Sequence, residues 1–89
     1  FWNEMKSYKN TILENICYTE LVYGRINKKL NLALSNDKIE EMILSILNET
    51  EEADFQKKGK NIYITNHIKN VVLTINSFTN RIITADKAK

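Results

Sequence analysis

Apolar residues recur at spacings of three and four through the first half of the chain, and at spacings of two through its last third. Met5, Tyr8, Ile12 and Ile16 share one helical face and predict a first helix from Met5 to Ile16. A second helix is predicted from Thr19 to Leu30, where Val22, Ile26 and Leu30 form an i, i+4, i+8 stripe. Thr19 serves as its N-cap, Glu20 lies in the first turn, and Lys28 and Lys29 lie in the last, each at the end the helix dipole favours. Gly24 interrupts this helix at a cost of about 1 kcal/mol relative to Ala. Close packing of another element against it is the expected reason. Ile39, Met42, Ile43, Ile46 and Leu47 give the clearest amphipathic pattern, a third helix capped by Ser35 or Asn36 and ending near Thr50. Glu49, Glu51, Glu52 and Asp54 then make an acidic segment, disfavoured at a helix C-terminus and expected to fray into a loop.

After Phe55 the period changes. Ile62 and Ile64 alternate with Asn61, Tyr63 and Thr65 in a first strand; Val71, Leu73 and Ile75 alternate with Val72, Thr74 and Asn76 in a second. Arg81 to Ala85 is a third strand, and its consecutive isoleucines leave the phase open: either Ile82 and Thr84 face inward, or Ile83 does. The Asn-rich segments 66–70 and 76–80 read as hairpin loops, which implies sequential antiparallel pairing. The fold class is therefore α+β, two to three N-terminal helices packed on one face of a three-stranded antiparallel sheet. With 89 residues the chain is expected to hold one core and one domain, residues 1–89, with Phe1 to Glu4, before Met5, read either as vector-derived residues or as an upstream extension.

Composition removes whole classes of chemistry. No apolar run exceeds three residues, so nothing crosses a bilayer as a helix. No apolar stretch follows a basic start, so no signal peptide is expected and the location expected is cytoplasmic. Cys17 is the one cysteine and His67 the one histidine, which excludes an internal disulfide and a multi-histidine metal site. No metal and no cofactor are expected. A phosphate loop, GxSxG, HExxH and CxxC are all missing. Asn and Ile occur twelve times each and Lys eleven times against two Arg, residues with AT-rich codons that suggest a bacterial, phage or mobile-element source. The same bias is the plain explanation of the lysines.

Charge, however, is unevenly placed. Residues 1–54 carry six Lys/Arg and ten Asp/Glu, a net of −4, whereas residues 55–89 carry seven and one, a net of +6, giving the overall +2. A basic sheet beside an acidic helical half is the usual electrostatic footprint of a phosphate-binding surface. The plain alternative is lysines placed for solubility and edge protection. If Ile62, Ile64, Leu73 and Ile75 face the helices, then Asn61, Tyr63, Thr65, Val72, Thr74 and Asn76 face out. Lys58, Lys60 and Arg81 flank that face, and Lys87, beyond the third strand, is counted with them as a candidate binding residue. Tyr63 could stack on an unpaired base and the amides could read base edges. Alternatively, Tyr63 simply covers the sheet as a cross-strand partner. The candidate catalytic residues are Arg25, Lys60 and Arg81, as cations for a developing phosphorane, with His67 as general acid or base. A solvated turn histidine is the plainer reading of His67, and a small core residue that of Cys17.

Three segments together carry a resemblance: TELVYGRINKKL (Thr19–Leu30), GKNIYITN (Gly59–Asn66) and LTINSFTNRIITADK (Leu73–Lys87). They resemble a small domain-of-unknown-function family of gut and low-GC bacteria. That family shows a TEL…RI…NL helix, a GKNWYV-like strand and a terminal TIITAHK-like strand. The resemblance spans roughly residues 17–88. It departs from the family at Ile62, where Trp is usual, and at Asp86, where His is usual, and it implies no activity. The layout of helices followed by a small sheet also looks like that of barnase- and RelE-like ribonuclease toxins, an analogy of fold only.

Three functions are consistent with these features. The first is a non-enzymatic module whose basic sheet face contacts RNA, DNA or an acidic protein partner. The second is a metal-free toxin-type ribonuclease. The third is an inhibitor of a host defence nuclease. The oligomeric state is open, with a homodimer through a sheet edge one outcome.

Overall fold

The computed structural model describes residues 8–88. The elements are α1 (Tyr8–Asn15), α2 (Glu20–Leu30), α3 (Asn36–Glu49), a short 3-10 turn (Glu52–Asp54), β1 (Phe55–Lys58), β2 (Asn61–Asn66), β3 (Val71–Asn76) and β4 (Ile82–Lys87). The expected start of the first helix at Met5 lies outside the described residues. Its end at Asn15 has a clear cause: the next residues leave the helix to reach the sheet. Cys17 N–H donates to the Asn80 carbonyl at 2.8 Å, and its carbonyl accepts from Ile82 N–H at 3.0 Å. The backbone of Cys17 thus does the structural work, and the residue is exposed rather than in the core as expected.

Thr19 occupies the N-cap of α2 in an extended conformation, but its side chain makes no cap bond. Asn31 closes α2 in the left-handed region at φ 60°, its N–H meeting the carbonyls of Asn27 and Lys28. Ser35 caps α3 by accepting from Lys38 N–H at 3.3 Å. The acidic segment does not fray. It folds into the 3-10 turn and delivers the chain into a strand, β1.

The sheet is antiparallel with the order β1-β2-β3-β4, so it has four strands where three were expected. β1 supplies a single buried residue, Phe55, opposite Ile64. β2 and β3 alternate without interruption, and Ile62, Ile64, Leu73 and Ile75 point into the core as their spacing predicts. β4 answers the question of phase in a third way. Thr74 pairs with Thr84 and Ile75 with Ile82, so Ile83 is an extra residue in a β-bulge. The bulge lets both Ile82 and Ala85 face inward. These side chains, with Ile12, Ile26, Ile39, Ile43 and Leu47, form one core between the helices and the inner sheet face. Full burial of each isoleucine or leucine contributes about 2 kcal/mol.

The two sheet edges are managed differently. At the β4 edge, Cys17 pairs with Arg81 and the Arg25 guanidinium donates to the Ile83 carbonyl at 3.2 Å. β1 is four residues long and ends in Lys57 and Lys58, charges that oppose pairing with another strand. Gly24 departs from expectation. A Cβ there would meet nothing within 4 Å, so close packing of another element does not account for it.

Candidate functional site

The register assembles a row of polar and basic residues across one end of the sheet. Lys58 pairs with Asn61, and Asn61 with Asn76. Asn76 N–H in turn donates to the Arg81 carbonyl at 2.9 Å. Strand alternation places these four on the outer face. At ~4.8 Å per strand, Lys58 and Arg81 stand roughly 14 Å apart along the row. Lys60 lies in the adjoining turn, fixed by Ser77 N–H donating to its carbonyl at 2.8 Å. One row further in, Tyr63 lies between Gln56 and Thr74, with Thr84 beyond. The Asn61 amide donates to the Tyr63 hydroxyl at 3.4 Å, which lays the ring along its own strand. Asn76 is less available than expected. Its side-chain oxygen accepts from Phe78 N–H at 2.8 Å and Thr79 N–H at 3.1 Å, a task of building the turn.

Lys58, Lys60, Asn61, Asn76 and Arg81 therefore lie at the same end of the sheet, with Tyr63 and Thr74 one row further in. Lys87 does not join them. It pairs with Val71 at the opposite end of the sheet and lines a hollow with Leu30, Leu32 and Met42. His67 also lies at that opposite end, 3.5 Å from the Asp54 carboxylate, where Lys69 meets Glu49 at 3.5 Å. The five steps of β2 from Asn61 to Asn66 separate the two ends by roughly 17 Å, beyond a Debye length of about 8 Å at physiological salt. Arg25 and Arg81 do share a hollow of about 200 Å³, with Thr19 and Leu21. The proposed acid or base, His67, is remote from it.

Phe78 is a residue that strand and helix periodicity passes over. It stands in the β3–β4 turn, 73% exposed, next to Ser77, whose N–H is bonded to the Lys60 carbonyl. The available signal was a phenylalanine alone in the polar run Asn76-Ser77-Phe78-Thr79-Asn80.

A second polar cluster lies in the helical layer. The rings of Tyr18 and Tyr23 stack with centroids 5.6 Å apart, and the Tyr23 hydroxyl donates to Glu40 Oε2 at 2.6 Å. That hydrogen bond to a carboxylate, with some burial, pushes the Tyr23 hydroxyl up to about 12. Burial, with the Glu40 charge nearby, raises Tyr18 further still. Both phenols are held neutral, as parts of the packing. Among the described residues no group of three His, Cys, Asp or Glu is placed to hold a metal ion, and no helix is long and apolar enough to cross a membrane.

The family described as Protein of unknown function (DUF3781) matches residues 10–86. The chain belongs to the DUF3781 family. The matched span of this DUF3781 domain takes in the whole basic row and every element, save the first two residues of α1 and the last of β4. No curated protein and no solved structure matches the DUF3781 domain described above.

Proposed function

We propose that this domain is a binding module that docks single-stranded nucleic acid on the cationic end of its sheet. The observation that supports this reading is the placement of Lys58, Lys60 and Arg81 at the one end of the sheet that also carries the outward amides and the Tyr63 ring. A sheet face with cations for phosphates and aromatic rings for bases is a sequence-tolerant way to hold an unpaired strand. The ribonuclease reading has less behind it, because Arg25 and Arg81 come together without His67. An acidic protein remains the alternative occupant of the same cations.

Fluorescence anisotropy of labelled single-stranded RNA and DNA oligomers, titrated between low and physiological salt, tests the proposal. Three phosphate contacts predict a slope of log K against log salt of about −2. Failure of both oligomers to bind at low ionic strength would overturn it, and binding of an acidic peptide instead would assign the surface to a protein.

A further inference from the structure

The β3–β4 turn that carries Phe78 is rigidly built. Asn76 holds Phe78 and Thr79 N–H through its side chain, and its carbonyl accepts from Asn80 N–H at 2.8 Å. Asn80 adopts φ 57°, a left-handed conformation that asparagine tolerates. Phe78 is thus held out into solvent by its turn, and the ring is not used by the core. Behind it lies a hollow of about 190 Å³ lined by Tyr8, Ile12, Ile62, Ser77, Phe78 and Asn80 among others. Ile12 and Ile62 make an apolar floor. The Ser77 hydroxyl oxygen is buried and has no hydrogen-bond partner among the described residues. The Tyr18 and Thr84 hydroxyls share this condition, and Ser77 also lines the hollow. Lys57 stands at the rim, its ammonium donating to the Gly59 carbonyl at 3.0 Å, beside Lys58 and Lys60.

Resting on the nucleic-acid reading above, we propose that this hollow takes one unpaired nucleobase of the bound strand. The Phe78 ring supplies the stacking face, with the Tyr8 ring on the same hollow. The Ser77 hydroxyl and the Asn80 amide supply hydrogen bonds to the edge of the base. Lys57 and Lys60 meet the phosphates on either side of it. The strand then passes over the end of the sheet, with its backbone on the basic row and one base turned in behind the turn.

The experiment compares a single-stranded oligomer with an abasic strand of equal phosphate count, for the wild-type domain and for Phe78→Ala. An exposed side chain is replaced, so the fold is retained, and the thermal midpoint confirms this. Stacking of one base on an aromatic ring corresponds to roughly tenfold in affinity. The wild type is expected to bind the base-bearing strand about tenfold more tightly than the abasic one. Phe78→Ala is expected to erase that difference and leave abasic binding unchanged. Equal binding of both strands by the wild type overturns the base site and leaves the nucleic-acid reading standing. Loss of binding to both strands by the wild type overturns both. In a parallel arm, amide shifts at Ser77, Phe78 and Asn80 are followed with the oligomer and with free UMP and AMP. Saturation by a mononucleotide at lower concentration than by the strand would assign the hollow to a free nucleotide and overturn the proposal.

Discussion

The Asn66 side-chain amide donates to the Thr50 hydroxyl at 2.9 Å, joining the last residue of β2 to the C-cap of α3 inside the core. Both residues are only 2% exposed. Thr50 passes the bond on to the Ile46 carbonyl at 2.6 Å, and the Asn66 side-chain oxygen accepts from Lys69 N–H at 2.7 Å. One buried amide therefore ends a helix, ends a strand and starts the β2–β3 turn. Asn66→Ala leaves the Lys69 N–H and the Thr50 hydroxyl short of a partner, at an expected cost of about 2 kcal/mol. Urea unfolding measures it. A loss below about 0.5 kcal/mol would mean that water replaces the amide without penalty.

Asn66 also illustrates what periodicity reveals and what it misses. The helices and the two central strands were legible because burial repeats along them, as at Ile39, Ile43, Ile46 and Leu47 or at Leu73 and Ile75. Asn66 reads as a loop residue because its burial depends on Thr50, sixteen positions earlier, and local pattern carries no trace of that pairing. β1 escaped for a related reason. Phe-Gln-Lys-Lys has one apolar side chain, so there is no alternation to detect, and only the partner strand makes it a strand. The bulge at Ile83 likewise depends on register with β3. For the site, alternation identified the outward amides and Tyr63. The placement of Lys87 and His67 at the far end required the strand order, and Phe78 required the shape of a turn. The abundant asparagines also acquire a structural use: Asn31, Asn70 and Asn80 all adopt positive φ in a chain with two glycines and no proline.

Gly24 yields a prediction of opposite sign. It lies in the middle of α2, and an added Cβ meets no atom within 4 Å. Gly24→Ala should therefore stabilise the domain by about 1 kcal/mol through helix propensity alone. The urea midpoint is expected to rise with the slope of the transition unchanged. A fall in the midpoint would show that the space beside Gly24 is occupied in solution.

Alkaline pH should act through Tyr23. Its hydroxyl is raised from 10.0 to about 12 in the folded chain by the hydrogen bond to Glu40. Below pH ~10 both folded and unfolded states keep this proton, and the stabilisation is fully present. Between about 10 and about 12 the unfolded chain releases the proton while the folded chain retains it. Unfolding is favoured progressively as pH rises through that window. Tyr23→Phe removes this titration, so its stability curve should fall less steeply there than the wild type's. Tyr18, also raised by burial, is present in both proteins, and the difference between the two curves reports Tyr23. Parallel curves above pH ~10 would show that Glu40 does not hold the phenol in its neutral form.

The cationic end can be separated from the rest of the positive charge by single substitutions. Lys60 lies in the turn beside the row formed by Lys58, Asn61, Asn76 and Arg81, whereas Lys87 pairs with Val71 at the other end of the sheet. Each variant loses one unit of charge, so the net charge of the chain changes equally in the two. A strand held by direct phosphate contacts loses one released counterion when a contacting lysine is removed, which flattens the salt slope by about 0.7 for single strands. Lys60→Ala and Arg81→Ala should each show that flattening together with weaker binding. Lys87→Ala should leave the slope unchanged, because at roughly 17 Å its charge lies beyond a Debye length at physiological salt. If Lys87→Ala weakens binding as much as Lys60→Ala, the attraction comes from net charge alone and the row at the sheet end has no special part in it.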